Sequence, residues 1–374
     1  MGIGSCSMEV VVINMAQVNY EFWSGKKVFL TGHTGFKGGW LSLWLASMGA
    51  EVTGYALPPP TNPSFFDAVQ INSAVDSCIG DIRNFAELRR ALHAANPEII
   101  FHLAAQPLVR QSYVDPLETY ETNVMGTVNL LEAARSLSNL KAIVNVTSDK
   151  CYENKEWVWP YRENEPIGGY DPYSSSKGCS EIITSAFRNS FFNPERYSEH
   201  GVAVASARAG NVIGGGDWAE DRLVPDMLRT LGSQRPVVLR NPDAVRPWQH
   251  VLEPLAGYLM LAQSLYDGGP SYSGAWNFGP NNRDAMPVLW IANKLSVLLG
   301  IQWEIDKGEN PHEAHFLRLD SSKAQEFLGW SPRWNLDDAL QEIVLWHKSF
   351  IAGENMREQS ISSISSYLKA STNK

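Results

Sequence analysis

Two short stretches carry side chains whose types and spacing could move protons. The first is Ser148-Asp149-Lys150, a hydroxyl, a carboxylate and an ammonium delivered side by side directly after the apolar run at 142–147. The second is Tyr173 and Lys177, four residues apart, so that both lie on one face of a helix. A free phenol has a pKa near ~10 and is a poor base at neutral pH. A neighbouring ammonium favours the phenolate, so Tyr173 reads as a base assisted by Lys177. A Tyr-x-x-x-Lys pair alone also occurs on ordinary helix surfaces. It gains meaning from Ser148, which stands 25 residues before Tyr173 at the end of an expected neighbouring strand.

Those groups need a scaffold, and the pattern of the chain supplies one. Short apolar runs alternate with helical periodicity from residue 27 onward, which predicts crossover helices on a parallel sheet. Strands are expected at 28–31, 52–56, up to 79, at 98–103, 142–147 and 202–207. Helices are expected from the glycine loop to 48 and at 85–94, 117–135 and 171–192. The fold class is α/β, a Rossmann-type doubly wound parallel sheet with a smaller, mixed α/β C-terminal lobe for substrate. Between the first strand and helix lies "TGHTGFKGG", with Gly32, Gly35 and Gly38 spaced as a dinucleotide loop and Thr34, Phe36 and Lys37 between them. Glycines there let backbone approach a pyrophosphate at a helix N-terminus. The second strand ends in "GYALPPP", without the acid that binds ribose hydroxyls in NAD sites and without an arginine for a 2′-phosphate. NAD is therefore the expected cofactor, held less tightly than usual. Asp81-Ile82, past the third strand, and Leu103, Ala104, Ala105 and Gln106, past the fourth, are expected to border it.

"TGHTGFKG", "DI" at 81–82, "HLAAQ", "TNVMGTVNLLEA", Ser148 and the Tyr173/Lys177 pair together make the chain resemble the extended short-chain dehydrogenase/reductase family over roughly residues 26–350. The resemblance implies that Tyr173 is the base on a sugar hydroxyl, that Lys177 also holds the nicotinamide ribose, and that Ser148 binds the reacting oxygen. It also implies that Asn123 maintains the site. Ser-Asp-Lys stands in the register where nucleotide-sugar 4,6-dehydratases carry a hydroxyl residue, Asp and Glu. With "GYDPYSSSKG", "GNVIGGGDW" and "RPWQHVLEPL", this narrows the implied substrate to CDP-glucose, with TDP-glucose, UDP-glucose or GDP-mannose as alternatives. Asp149 would then be the acid for the 6-hydroxyl and Lys150 the base at C5; the same pair would equally serve as a structural salt bridge. For the nucleotide sugar, the resemblance points to Asn211 and Arg246. Arg222 is a further diphosphate clamp, or else a structural partner of Glu220 or Asp221. Trp218 or Trp248 could face the sugar. Related enzymes have an arginine where this chain has Asn310, so His312, His315 or Arg318 would have to substitute. A rival from another class is a non-catalytic sensor of NAD or nucleotide sugar.

Composition sets the outer bounds. The chain has 374 residues and a net charge of −9, with acids and bases interspersed, which gives no reason to expect nucleic acid or an anionic membrane as partner. Four scattered cysteines form no Cys-x-x-Cys pair and suit a reducing cytoplasm; no metal is expected. No apolar run approaches the ~20 residues that span a bilayer. Residues 1–22 read as an extension. The dinucleotide domain is expected at 23–200 with a return near 236–262, the nucleotide-sugar lobe at 201–360, and a Ser-rich, frayed tail at 361–374. Apolar residues on the helices at 118–135 and 172–192, together with the resemblance, imply a homodimer, with a tetramer as the alternative.

Overall fold

Seven short runs, four to seven residues each, align into one sheet, the central ones being apolar enough to be covered on both faces. In the computed structural model, which describes residues 17–232, 235–306, 308 and 316–370, they are β1 (Lys27–Thr31), β2 (Glu51–Ala56), β3 (Asp76–Ile79), β4 (Ile99–His102), β5 (Ala142–Val146), β6 (Ala203–Ala209) and β7 (Gly274–Phe278). Their spatial order is β7-β6-β5-β4-β1-β2-β3, and every pair is parallel. Strands β5 and β6 are buried along their whole length, as expected where helices cover both faces. The order reverses between β1 and β4, so a crevice opens at their carboxyl ends.

The helices flanking the sheet follow the expected pattern, with one local difference. Helices α1 (Phe36–Ser47) and α2 (Phe85–Ala95) lie close to the sequence reading. The long helix expected at 117–135 is present over 116–134, but it carries a π-helical turn, Glu121–Met125, between Pro116–Tyr120 and α3 (Gly126–Ala134). Such a bulge re-aims one side chain, here that of Asn123, which is buried. Helix α4 (Pro172–Ser190) starts on Asp171, whose side chain caps the Ser174 N–H.

The return to the sheet comes later than expected. It is α5 (Leu252–Gly268), apolar around nearly its whole circumference, followed by β7 beside β6. Strand β7 was not anticipated because Trp276-Asn277 breaks its apolar run. Strand β6 also lies beyond the expected domain boundary at 200. The smaller lobe joins strand 237–239 to 303–305 and strand 245–247 to 285–287 around a core of Val224, Met227, Trp248, Ile291, Leu295 and Ile343.

Both expected chain ends need correction. A short helix, Tyr20–Trp23, begins inside the supposed extension and buries Trp23. The Ser-rich tail is helical as far as Lys369 rather than frayed. Helix α6 (Leu336–Ile351) opens with a capping box between Asn335 and Asp338, and α7 (Met356–Lys369) packs back on the protein. Ser360 accepts a hydrogen bond from Trp346 Nε1 at 2.9 Å, and the Tyr367 hydroxyl donates to Glu253 Oε2 at 2.9 Å. Serines at these positions read as disorder in sequence, yet their hydroxyls bond back to carbonyls one turn earlier and so fit a buried helix face.

Candidate active site

A single cleft of about 1030 Å³ runs from the glycine loop, along the carboxyl edge of the sheet, to the smaller lobe. At one end, Gly32 adopts φ +83°, and a Cβ there would lie 2.8 Å from the Ala104 nitrogen. A Cβ on Gly38 would fall 2.1 Å from the Gly32 oxygen. The loop is therefore closed so tightly that only glycine fits, and it presents backbone to the cleft as a dinucleotide cradle should. Thr34, Gly35, Phe36, Asp81, Ile82, Leu103, Ala104 and Ala105 line the same end, as expected. Past β2 the wall is Ala56, Leu57 and Pro58, and Asp81 is bound by Arg83 at 2.6 Å.

Gln106 departs from expectation, while Asn123 and Lys37 do not. Gln106 is turned inward: its amide bonds the Thr119 hydroxyl at 2.8 Å and the Leu108 carbonyl, and its carbonyl takes the Leu108 N–H. All its polar atoms are spent on the loop, so it does not face substrate. Asn123 holds that loop from behind, accepting the Gln106 N–H at 2.8 Å and donating to Ser176 Oγ at 2.8 Å. It supports the site without lining the cleft. Lys37 lines the cleft, as expected, close to a cluster of titratable groups: burial brings its pKa down to about 7, helped by the charges of Lys177 and Arg222 and opposed by Asp149.

That cluster forms where β5 ends. Ser148 caps the single turn Asp149–Cys151, its hydroxyl accepting the Lys150 N–H at 3.2 Å and donating to Asp149 Oδ1 at 2.9 Å. Asp149 is 2% exposed, and its Oδ2 has no hydrogen-bond partner. Burial pushes its pKa up, with Lys150, Ser148 and Arg246 working against the rise. Helix α4 brings Tyr173 and Lys177 to the same point. Lys177 is brought down to about 8 by burial, which Glu181 and Cys151 oppose. Burial pushes Tyr173 up to about 12, against a hydrogen bond from Ser148 and the charge of Arg222; the lowering expected of Lys177 together with a cationic nicotinamide belongs to the cofactor-bound protein. Cys151 is fully buried, and burial pushes its thiol up, so it packs rather than reacts.

The lobe end of the cleft is lined by Asn211, Trp218, Arg222, Arg246 and Trp248. Arg222 pairs with Asp217 at 2.8 Å rather than with Glu220 or Asp221. Asp221 instead holds Arg240 at 2.6 Å and lies 3.8 Å from Arg110, two cleft arginines that the sequence reading missed. Arg318 stacks over Phe316 and lies off the cleft, so it does not replace the missing arginine. Asn310, His312 and His315 lie outside the described residues. Among the described residues, no group of three or more His, Cys, Asp or Glu is placed to hold a metal ion, and no helix is long and apolar enough to cross a membrane.

Comparison with known proteins places this geometry. Residues 29–343 match a family model described as GDP-mannose 4,6 dehydratase. The chain is 59% identical over 357 residues to the CDP-glucose 4,6-dehydratase of Salmonella typhimurium, covering 95% of this chain and 99% of that one. Among solved structures, it superposes on a dTDP-glucose 4,6-dehydratase of Bacillus anthracis in complex with NAD with a TM-score of 0.70 at 21% identity, covering 87% of this chain and 98% of that one. The UDP-glucose 4-epimerase of Thermotoga maritima with UDP-glucose gives 0.75 at 22% identity, with 87% and 99% covered. These two likenesses confirm the Rossmann-type fold.

Proposed function

The chain belongs to the GDP-mannose 4,6 dehydratase family, and from that premise we propose that it converts CDP-D-glucose to CDP-4-keto-6-deoxy-D-glucose and water. It is an NAD-dependent hydro-lyase, and its product is of the class that deoxysugar and lipopolysaccharide-type synthesis consumes. The glycine loop and the walls at Asp81-Ile82 and Leu103–Ala105 would hold the cofactor, and Lys177 the nicotinamide ribose. Bound NAD supplies a hydride acceptor for C4 and a hydride donor for C6.

The residues handle the protons. Tyr173 takes the proton of the 4-hydroxyl as the 4-ketone forms, and Ser148 donates to the new carbonyl oxygen. The ketone acidifies C5–H, and Lys150 removes that proton. Asp149 gives its proton to the 6-hydroxyl, which leaves as water, and Lys150 returns a proton to C5. One water is lost and no net oxidation occurs. Arg222 and Arg246 neutralise the diphosphate, with Asn211, Trp218 and Trp248 around the sugar and nucleotide.

The observation that carries this reading is Asp149 itself. A buried carboxyl with one unbonded oxygen, its pKa pushed up by burial, is favoured in the protonated form that a departing hydroxyl requires. Dehydratase chemistry needs such an acid, whereas epimerisation or sensing does not. Tyr173→Phe tests the enzyme reading against the sensor: turnover should fall roughly 10²–10⁴-fold while CDP-glucose still binds in calorimetry. Unchanged turnover would contradict it.

The protein works as a homodimer in the cytoplasm on this reading. Val114, Leu117, Met125 and Ile182 are exposed on adjoining helices, and Pro116–Tyr120 packs against α4. Such an apolar face on paired helices suits a second copy.

A further inference from the structure

Beneath the cleft lies a buried ion pair that the chemistry above does not use. Arg208 Nη2 on β6 donates to Glu181 Oε2 on α4 at 2.8 Å, with both side chains almost wholly buried. A pair in this setting is weak evidence for stability, because well-packed apolar residues would often do as well. Its other bonds suggest another purpose. Glu181 Oε1 accepts from the Thr147 hydroxyl at 2.5 Å, and Arg208 Nη1 donates to the Tyr152 hydroxyl at 2.8 Å. The Tyr152 hydroxyl in turn donates to Asn277 Oδ1 on β7 at 2.8 Å. Thr147 immediately precedes Ser148, and Tyr152 is the second residue after Lys150. One ion pair therefore pins the reactive turn at both ends.

We propose that Glu181 and Arg208 are positioning residues that, through Thr147 and Tyr152, fix the turn bearing Ser148, Asp149 and Lys150, and that water elimination depends on them more than oxidation at C4 does. The inference rests on the dehydratase reading. The difference between the two steps follows from how their groups are anchored. Of the groups that serve oxidation only Ser148 shares the turn; Tyr173 and Lys177 ride on α4, which has its own ties: the Tyr173 N–H to Ser112 Oγ at 3.1 Å, Ser176 to Asn123, and the Asp171 cap. Asp149 bonds only to its own turn, and Oδ2 bonds to nothing. Its aim at C6 is therefore set by where the turn is held.

Direct substitution of Glu181 or Arg208 strands a buried charge and threatens folding, so the test uses their partners. Thr147→Val and Tyr152→Phe each delete one hydroxyl at nearly constant volume, and Thr147→Ser restores it. With CDP-glucose and NAD, the two deletion variants should lose roughly 10–100-fold in overall turnover, the scale of a misplacement near 1 Å. Their KM should stay near that of the wild type, and reduced nicotinamide should accumulate in a single turnover because oxidation outruns elimination. Thr147→Ser should recover most of the rate. Melting curves establish that each variant is folded. Oxidation and water loss that fall in equal proportion, or folded variants as fast as wild type, would overturn the proposal. Failure of the underlying reading looks different: wild-type protein inert toward CDP-glucose, which overturns both.

Discussion

Asp149 has to hold a proton until a hydroxyl departs, and its environment is built for that single event. Asp149→Asn keeps the shape and the hydrogen bond from Ser148 but has no proton to give. Turnover should fall roughly 10²–10⁴-fold, with the 4-keto, 6-hydroxy intermediate and reduced cofactor accumulating in rapid-quench mass spectrometry. A variant that neither oxidises nor eliminates would place Asp149 in the first step instead. The convergence of Ser148, Asp149, Lys150, Tyr173 and Lys177 on one cleft was legible in the sequence because it follows from local spacing, three in a row and two one helical turn apart. The orientation of Gln106 was not. Which way a loop side chain points depends on what competes for it: the Gln106 amide finds Thr119 and Leu108. Arg240 escaped notice because its partner, Asp221, comes from a different loop of the smaller lobe.

At the scale of elements, the glycine loop and α1 form one unit. Gly38→Ala should drive the new methyl into the Gly32 carbonyl, costing roughly 1–3 kcal/mol of stability and abolishing NAD binding in fluorescence titration. Normal binding would mean that the loop opens at no cost. A second junction joins α5, the 333–334 turn and α7. Glu253, fully buried, takes the N–H groups of Arg333 at 3.0 Å and Trp334 at 2.7 Å as well as the Tyr367 hydroxyl, and burial outweighs these bonds to raise its pKa from 4.5 to about 7. An acid raised on folding binds more protons folded than unfolded between those values. Its stabilising contribution is thus present at low pH and is lost as pH climbs through 4.5 to 7, at no more than ~1.4 kcal/mol per pH unit. Thermal melts from pH 5 to 8 should show this slope in wild type and not in Glu253→Gln; identical slopes would exclude Glu253 as the source. The strands β1–β6 and the flanking helices were readable from apolar periodicity. The π-turn, β7 and α7 were not, because each answers to tertiary partners: Asn123 to Gln106, Asn277 to Tyr152, and the α7 serines to α6.

For the whole molecule, the alternation of strand and helix fixed the fold class, while the boundary between sheet and lobe was misread. The chain leaves the sheet after β6, builds part of the lobe and returns through α5 and β7, and no composition shift marks the return. The exposed apolar residues on the paired helices predict a particle of twice the 41.6 kDa chain mass in light scattering. Leu117→Glu combined with Ile182→Glu should convert it to monomer; a monomeric wild type would remove the dimer from the account. The central claim concerns the reaction, and one end-point assay reaches it directly. The protein, with NAD, is offered CDP-glucose, TDP-glucose, UDP-glucose and GDP-mannose in equal amounts, and products are read by the mass of one lost water and by the NMR signal of a new C6 methyl. The account predicts that CDP-glucose alone is dehydrated. Water loss from another nucleotide sugar, or from none, would contradict it.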